Sequence, residues 1–196
     1  DVDPVDDVLV AEAGVTLAEV QAAAAAAGRR FPLSLASEGT ATLGGVVSTN
    51  AGGVAVLRFG TARDLVLGLE AVLPNGEIWR GLRRLRKDNT GYDLRGLLSG
   101  AEGTLGVITA ASVKLFPRPA GRAVAMVGLE SPAAALDLLN RARGAVDAGL
   151  EAFELMARQG VLFAVRNIPG QRDPLTGDPP WRVLLEIASP DPDEAG

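Results

Sequence analysis

Short apolar runs alternate with polar or glycine-rich turns along this chain, a pattern that predicts a mixed α and β fold. Residues 8–14 have the composition of a strand. Thr16, followed three residues later by Glu19, matches the capping box that begins many helices, so we predict a helix over residues 17–27. Gly28 stands where a helix commonly ends.

The next apolar runs predict a hairpin, a short helix and a long strand. Residues 65–73 and 77–80 flank the sequence Pro74-Asn75-Gly76, and an Asn-Gly pair is typical of a tight hairpin turn. Residues 94–98 predict a short helix, and residues 106–115 predict a strand that ends before two prolines.

The Pro-Arg-Pro segment at residues 117–119 is the predicted domain boundary, which gives domains at 1–118 and 119–196. The second domain begins with a predicted strand at 123–129 and a helix that runs from Ser131-Pro132 to about Arg143. Another element begins near Phe153, and a strand at 181–188 follows. This order predicts part of an antiparallel sheet with helices on one face.

Composition and charge narrow the function classes. With 196 residues, a net charge of −5 and a pI near 4.8, the chain does not resemble a nucleic-acid-binding protein. It has no apolar run long enough to span a membrane and no signal peptide, so we expect a cytoplasmic protein. It contains no cysteine and no histidine, so a general base would have to be a carboxylate, Lys or Tyr.

Three glycine-rich turns carry the candidate chemistry: turn 1 (residues 39–45), turn 2 (49–53) and turn 3 (99–106). Glycine lets backbone amides approach a ligand closely, and the Thr, Ser and Asn residues between the glycines are neutral hydrogen-bonding groups of the kind that hold phosphates or ring heteroatoms. The three turns are therefore interpreted as parts of one ligand site. The alternative is that they are tight turns of a packing unit without a ligand.

Four segments resemble a known family. These are residues 43–53 (LGGVVSTNAGG), 57–64 (LRFGTARD), 85–94 (LRKDNTGYDL) and 100–109 (GAEGTLGVIT). In this order and spacing they are similar to the FAD-linked 2-hydroxyacid dehydrogenases of the vanillyl-alcohol-oxidase flavoprotein superfamily. That group includes D-lactate, glycolate and D-2-hydroxyglutarate dehydrogenases and has a PCMH-type FAD-binding domain.

The resemblance implies an α+β fold in which residues 1–118 are the second FAD-binding subdomain, an antiparallel sheet flanked by helices. Residues 119–196 would be the beginning of an α+β substrate or cap domain. The implied cofactor is FAD. The implied FAD-binding residues are Gly44, Gly45, Ser48, Thr49, Asn50, Gly52, Gly53, Gly60, Glu102, Gly106, Val107 and Ile108.

On the substrate side, the resemblance points to Asn89 and Tyr92, for which a surface-loop role is an equal alternative. Members of the family also use histidines to bind a divalent metal and to take the substrate proton. Because this chain has no histidine, no catalytic residue and no metal ligand is assigned. The carboxylates nearest the motifs are Glu38, Glu102 and Glu154, but no spacing pairs them as an acid and a base.

The leading functional hypothesis is therefore part of an FAD-dependent oxidoreductase that oxidises a small 2-hydroxy acid by hydride transfer to flavin. The family's first FAD subdomain is not in this sequence, so we expect a fragment that lacks catalysis alone. Two alternatives are a non-catalytic FAD-binding subunit of a hetero-oligomeric glycolate oxidase and a flavin-free structural or interaction module. A partner chain or self-association is expected under each.

Overall fold

The computed structural model describes residues 1–191, which fold as two compact units. Unit 1 is Asp1–Arg118, and unit 2 begins at Pro119. Both combine antiparallel strands with helices, which confirms the predicted α+β class. The assignment of the units as an FAD subdomain and a substrate domain remains a prediction at this point.

Unit 1 is built on a five-stranded sheet with the strand order β1-β2-β6-β4-β5, in which every neighbouring pair is antiparallel. A small second sheet pairs β3 with β7. The elements in chain order are β1 (Val2–Asp3), β2 (Val8–Glu12), α1 (Leu17–Ala26), β3 (Arg29–Arg30), α2 (Leu43–Ser48), α3 (Val56–Phe59), α4 (Ala62–Leu65), β4 (Val66–Val72), β5 (Ile78–Gly81), α5 (Leu94–Leu98), β6 (Val107–Lys114) and β7 (Phe116–Pro117).

The core of unit 1 lies between this sheet and helices α1 and α2. Leu17 and Val20 of α1, Leu43 of α2 and Leu69 of β4 are each at most 1% exposed and belong to one cluster. Burying side chains of this size is the main favourable contribution to folding. Helix α2 is thereby fixed against the sheet, and its end carries the segment that leads into turn 2.

Helix α1 begins as the sequence predicts. The Thr16 hydroxyl oxygen accepts a hydrogen bond from the Glu19 backbone N–H at 3.3 Å, and the Glu19 carboxylate accepts one from the Thr16 N–H at 2.9 Å. These two bonds satisfy N–H groups that have no partner inside the helix. They also hold the pKa of Glu19 below its usual value, the Thr16 side chain being the larger cause.

Unit 2 contains a three-stranded antiparallel sheet in the order β8-β10-β9. Ser131 caps α6 by accepting a hydrogen bond from the Ala134 N–H, with Pro132 at the first helical position, as the sequence predicts. The elements are β8 (Gly121–Leu129), α6 (Pro132–Val146), a 3₁₀ turn (Asp147–Gly149), β9 (Leu150–Ala157), α7 (Arg158–Asn167) and β10 (Trp181–Ser189).

Two segments differ from the sequence-based expectation. The polar connection at residues 58–64 is occupied by the short helices α3 and α4. The Asp64 carboxylate accepts hydrogen bonds from the Thr61 N–H and hydroxyl at 2.8 and 3.0 Å. Thr61 and Asp64 thus form a capping box at the start of α4. Helix α7 was not predicted, because its apolar residues form one continuous run at 161–165 instead of recurring every three or four positions, and none of its residues is buried.

Candidate functional site

Turn 1 is joined to the strand and helix at the start of unit 1. The Leu43 N–H donates to the Val15 carbonyl and the Gly44 N–H to the Ala13 carbonyl, both at 2.8 Å. The Gly45 N–H donates to the Thr42 hydroxyl oxygen at 3.2 Å, which caps α2. These amides are therefore bonded within the protein, and contact with a ligand here would rely on other atoms.

Gly44 has a packing reason to be glycine. A Cβ at this position would lie 2.5 Å from the Ala13 Cβ, a separation that two methyl groups cannot adopt without displacement. The close approach lets α2 lie directly on the segment that follows β2. Gly44 is thus required by the fold whether or not it contacts a cofactor.

Turn 2 leaves α2 through a backbone conformation that few residues adopt. Thr49 is the C-terminal cap of α2, and Asn50 has a positive φ of 49°, which asparagine tolerates better than most residues. The Asn50 side-chain oxygen accepts a hydrogen bond from the Arg63 N–H at 2.9 Å. Turn 2 is therefore attached to α4. Next along the turn, Gly53 packs against the backbone of Ser34.

Turn 3 is bonded directly to the end of α2. The Gly100 N–H donates to the Val47 carbonyl at 3.1 Å, and the Glu102 N–H donates to the Ser48 carbonyl at 3.0 Å. The Arg63 guanidinium donates to the Ser99 carbonyl at 2.6 Å. Turns 2 and 3, which are separated by more than 40 residues in the chain, thus meet at one place.

The predicted FAD-binding residues are distributed around this meeting point as follows. Gly44, Gly45 and Ser48 lie in α2, Thr49 to Gly53 in turn 2, Gly60 between α3 and α4, Glu102 and Gly106 in turn 3, and Val107 with Ile108 at the start of β6. Turn 3 is hydrogen-bonded to the end of α2 and is connected to turn 2 through Arg63, whereas turn 1 is bonded to the strand–helix junction before α1. Their contacts with FAD remain predictions.

Sequence reasoning missed Arg63, whose backbone and side chain connect the two turns. A signal was available in Thr61-Ala62-Arg63-Asp64, because Thr followed three residues later by an acid indicates a helix start. Recognising that start would have placed Arg63 in the first turn of a helix beside turn 2.

The residues around turns 2 and 3 fit an amphipathic dinucleotide such as FAD. Val54, Val56 and Leu57 follow turn 2 and are between 37% and 49% exposed, and Leu105 and Val107 at turn 3 are 41% and 63% exposed. Exposed apolar side chains beside hydroxyl and amide groups suit flat rings joined by a polar chain. The hydrogen-bonding groups of turns 2 and 3 are neutral apart from the Glu102 carboxylate, and the positively charged guanidinium of Arg63 lies beside them.

Asn89 and Tyr92 lie on a different feature, a cleft of about 220 Å³ in unit 1. Trp79 and Arg95 also line this cleft, and the Tyr92 side chain is almost fully exposed. Arg83 and Asp88, which also line the cleft, form an ion pair in which the Arg83 Nη1 donates to both carboxylate oxygens of Asp88 at 3.0 and 2.8 Å. Helix α5 begins at this cleft and ends at turn 3. A role of Asn89 and Tyr92 toward substrate remains a prediction.

Asp93 caps α5 and is the titratable group between the cleft and turn 3. Its carboxylate accepts a hydrogen bond from the Gly96 N–H at 2.9 Å. This bond is the main reason that the pKa of Asp93 lies below its usual value, and the guanidiniums of Arg95 and Arg63 lower it further. Asp93 is therefore ionised at neutral pH and suited to capping rather than to proton transfer.

Two kinds of feature are absent from residues 1–191. No group of three or more acidic, histidine or cysteine side chains is arranged to hold a metal ion there. In the same range, every helix is too short or too polar to cross a membrane.

Comparison with known proteins supports the cofactor. Residues 1–81 match the family described as FAD binding domain, which confirms the prediction of FAD. This range contains turns 1 and 2 and Arg63, while turn 3 lies beyond it.

Curated relatives match almost the whole chain. The D-2-hydroxyglutarate–pyruvate transhydrogenase of Saccharomyces cerevisiae is 39% identical over 96% of this chain and 38% of its own length. The mitochondrial D-2-hydroxyglutarate dehydrogenase of Bos taurus is 42% identical over 96% of the chain and 34% of its own length, and that of Arabidopsis thaliana is 36% identical over the same shares. The chain thus spans about a third of the length of these relatives.

A solved structure shares the fold. Alkyldihydroxyacetonephosphate synthase superposes with a TM-score of 0.78 at 18% identity, covering 96% of this chain and 36% of the synthase chain. At that identity the likeness concerns the fold alone. Taken with the sequence relatives, these findings support the resemblance: residues 1–81 match the family described as FAD binding domain, and nearly the whole chain is similar to proteins named as D-2-hydroxyglutarate dehydrogenases.

Proposed function

We propose that this chain supplies part of the FAD-binding surface of a flavoenzyme that oxidises a small 2-hydroxy acid. The observation that carries the proposal is the junction of turns 2 and 3 at the end of α2, where exposed apolar side chains adjoin hydroxyl and amide groups. The similarity to relatives named as D-2-hydroxyglutarate dehydrogenases supports the reaction class.

Among 2-hydroxy acids, the names of the relatives favour D-2-hydroxyglutarate as the substrate. D-Lactate and glycolate are the smaller alternatives in the same reaction class. FAD, when bound, accepts a hydride from the carbon that carries the substrate hydroxyl.

The residues of this chain would bind and orient rather than transfer protons. The Ser48 side chain, half-buried at the end of α2, and the adjoining turn 2 would contact the flavin dinucleotide through neutral hydrogen-bonding groups. Asn50 fixes turn 2 to α4 and thereby keeps this edge in place. The chain contains no histidine, so we propose that the proton acceptor for the hydroxyl group is supplied from outside it.

A visible absorption spectrum tests the cofactor part of this proposal. The purified chain, incubated with FAD and desalted, is expected to keep the flavin bands in a ratio near one flavin per chain. Riboflavin treated in the same way provides the comparison for non-specific stacking on apolar surface. A colourless protein after desalting would contradict FAD binding by this chain alone.

The second part of the proposal concerns catalysis. The FAD-loaded chain is expected not to reduce a redox dye with D-2-hydroxyglutarate, D-lactate or glycolate. Dye reduction that depends on one of these acids would contradict the absence of catalysis and would identify the substrate.

A non-catalytic FAD-binding subunit of a hetero-oligomer is a second candidate, and the lack of histidine favours it. It differs from the first candidate in requiring a stable partner. Affinity purification of the chain from its native cells, followed by mass spectrometry, is expected to recover another flavoprotein subunit in constant ratio if this candidate is correct.

A further inference from the structure

The candidate cofactor site has a shortage of positive charge. FAD carries two negative charges on its pyrophosphate, whereas Thr49, Asn50 and the glycines of turns 2 and 3 are neutral. Glu102 adds a negative charge in turn 3 and is exposed. A dianion bound at this edge would gain from a cation at the junction of the two turns.

Arg63 occupies that junction. Its backbone N–H is bonded to the Asn50 side chain of turn 2, and its terminal Nη2 is bonded to the Ser99 carbonyl at turn 3. A Cβ on Gly100 would lie 3.0 Å from the same Nη2, so the guanidinium packs directly against the glycine of turn 3. Gly100 has a φ of +82°, a backbone conformation that suits glycine.

The guanidinium of Arg63 has donors to spare. A guanidinium carries five N–H groups in a planar fork, and within residues 1–191 the structure assigns the Arg63 side chain one hydrogen bond. Arg63 is exposed as a residue. By contrast, the guanidinium of Arg58, also near turn 2, lies over the Phe59 ring at 5.0 Å.

We propose that Arg63 binds the pyrophosphate of FAD while its bond to Ser99 holds turn 3 against turn 2. This inference rests on the proposed binding of FAD. A planar fork is matched to phosphate oxygens and can donate to two of them at once. The same side chain would thus both shape the edge formed by the two turns and neutralise the anion on it.

Titration of the protein with two flavins separates these roles from simple structural support. FAD carries the pyrophosphate and riboflavin does not, although they share the ring system. Replacing Arg63 with Gln removes the charge and keeps a donor for the Ser99 carbonyl. We expect R63Q to weaken FAD binding about tenfold or more and to change riboflavin binding less than about twofold, because a charged hydrogen bond is lost only for FAD.

Two further variants complete the experiment. R63K keeps the positive charge but not the planar fork, so it is expected to weaken FAD binding less than R63Q does. R80Q is the matched control, because Arg80 is an exposed cation on the edge strand β5 that pairs with Glu70. Its FAD affinity is expected to equal that of wild type.

The outcomes separate the inference from the function on which it rests. Equal weakening of FAD and riboflavin by R63Q, or no weakening of either, would overturn the role of Arg63 while leaving FAD binding intact. A wild-type chain that binds neither flavin would overturn both. Circular dichroism on each variant shows whether it is folded, and R63K provides the comparison if R63Q unfolds.

Discussion

Units 1 and 2 use similar elements but bury different kinds of side chain. The residues of unit 1 form one continuous apolar cluster between its sheet and helices. Among the described residues, the buried apolar side chains of unit 2 are only Ala135, Leu150, Ala152, Val183 and Ala188. Within residues 1–191, the buried polar side chains of unit 1 are Ser99 and Ser112, whereas unit 2 buries Ser189 and the charged residues Glu151 and Arg182.

Arg182 best illustrates the difference. Its side chain is 0% exposed, donates to the Pro179 carbonyl at 3.0 Å and pairs with the Asp173 carboxylate, while its Nε has no hydrogen-bond partner. A buried cation that is incompletely bonded adds little to the free energy of unfolding. The comparison teaches that unit 1 has an extensive apolar core, whereas unit 2 has a small apolar core with charged side chains buried beside it.

Unfolding of the two units can be followed separately, since the chain has two tryptophans and each unit contains one. Trp79 lies in β5 of unit 1 and Trp181 in β10 of unit 2. Replacing Trp181 with Phe leaves a reporter for unit 1, and replacing Trp79 with Phe leaves one for unit 2. We expect the unit 1 reporter to unfold at the higher urea concentration.

The largest expected effect comes from a cavity in unit 1. Leu69 is 0% exposed in the interior strand β4, so Leu69→Ala is expected to lower the free energy of unfolding of unit 1 by about 3 kcal/mol. Urea titration with the Trp79 reporter measures this change. Leu97→Ala, at a side chain 59% exposed in α5, is the control and should change it by less than about 0.5 kcal/mol. Equal effects of the two variants would contradict the proposed core.

The next effect tests the close approach of α2 to the segment after β2. Gly44→Ala places a methyl group against Ala13, and we expect a loss of about 2 kcal/mol from overpacking. The double variant with Ala13→Gly should recover much of this loss, which the same urea titration detects. Gly39→Ala, where a Cβ meets no atom within 4 Å, is the matched control. Failure of the double variant to recover stability would exclude the clash as the cause.

A smaller effect is expected at the start of α1. Thr16→Ala removes the hydroxyl that accepts the Glu19 N–H and should lower the free energy of unfolding of unit 1 by about 1 kcal/mol. Thr16→Ser keeps the oxygen and should be close to wild type. A loss as large with Ser as with Ala would assign the effect to the methyl group instead.

The smallest effect is the pH dependence of unit 2. The Leu175 N–H and then the Arg182 guanidinium hold the pKa of Asp173 below its usual value. Because the pKa is lowered on folding, the stabilisation is present above the unfolded-state value of about 4 and is lost as pH falls through the lower folded value. The urea concentration at the midpoint of unfolding, measured with the Trp181 reporter, should therefore decrease as the pH is lowered from about 5 to about 3.

Asp173→Asn provides the control for that prediction. It removes the titrating group, so its urea midpoint should depend less on pH over the same range. A wild-type midpoint that falls no more steeply than that of Asp173→Asn would show that Asp173 does not stabilise unit 2 as an ion.

The local elements were largely predictable because their signals are short-range. Thr16 with Glu19, Ser131 with Pro132, and Asn75-Gly76 each specify a cap or a turn through neighbouring atoms, and all three occur as predicted. Helix α7 was not predicted because its apolar residues 161–165 form one continuous run, and α4 was not predicted because it begins within a polar segment. A sequence pattern predicts a helix when its apolar residues recur every three or four positions on one face.

The sequence by itself determined the element types, the position of the glycine turns and, through its resemblance, FAD as the cofactor. Only the tertiary structure decided which turns meet, because hydrogen bonds from Gly100 to Val47 and from Arg63 to Ser99 join segments far apart in the chain. It also decided that Gly44 serves packing against Ala13. Such contacts depend on how the sheet and α2 pack, and a pattern of neighbouring residues carries no information about them.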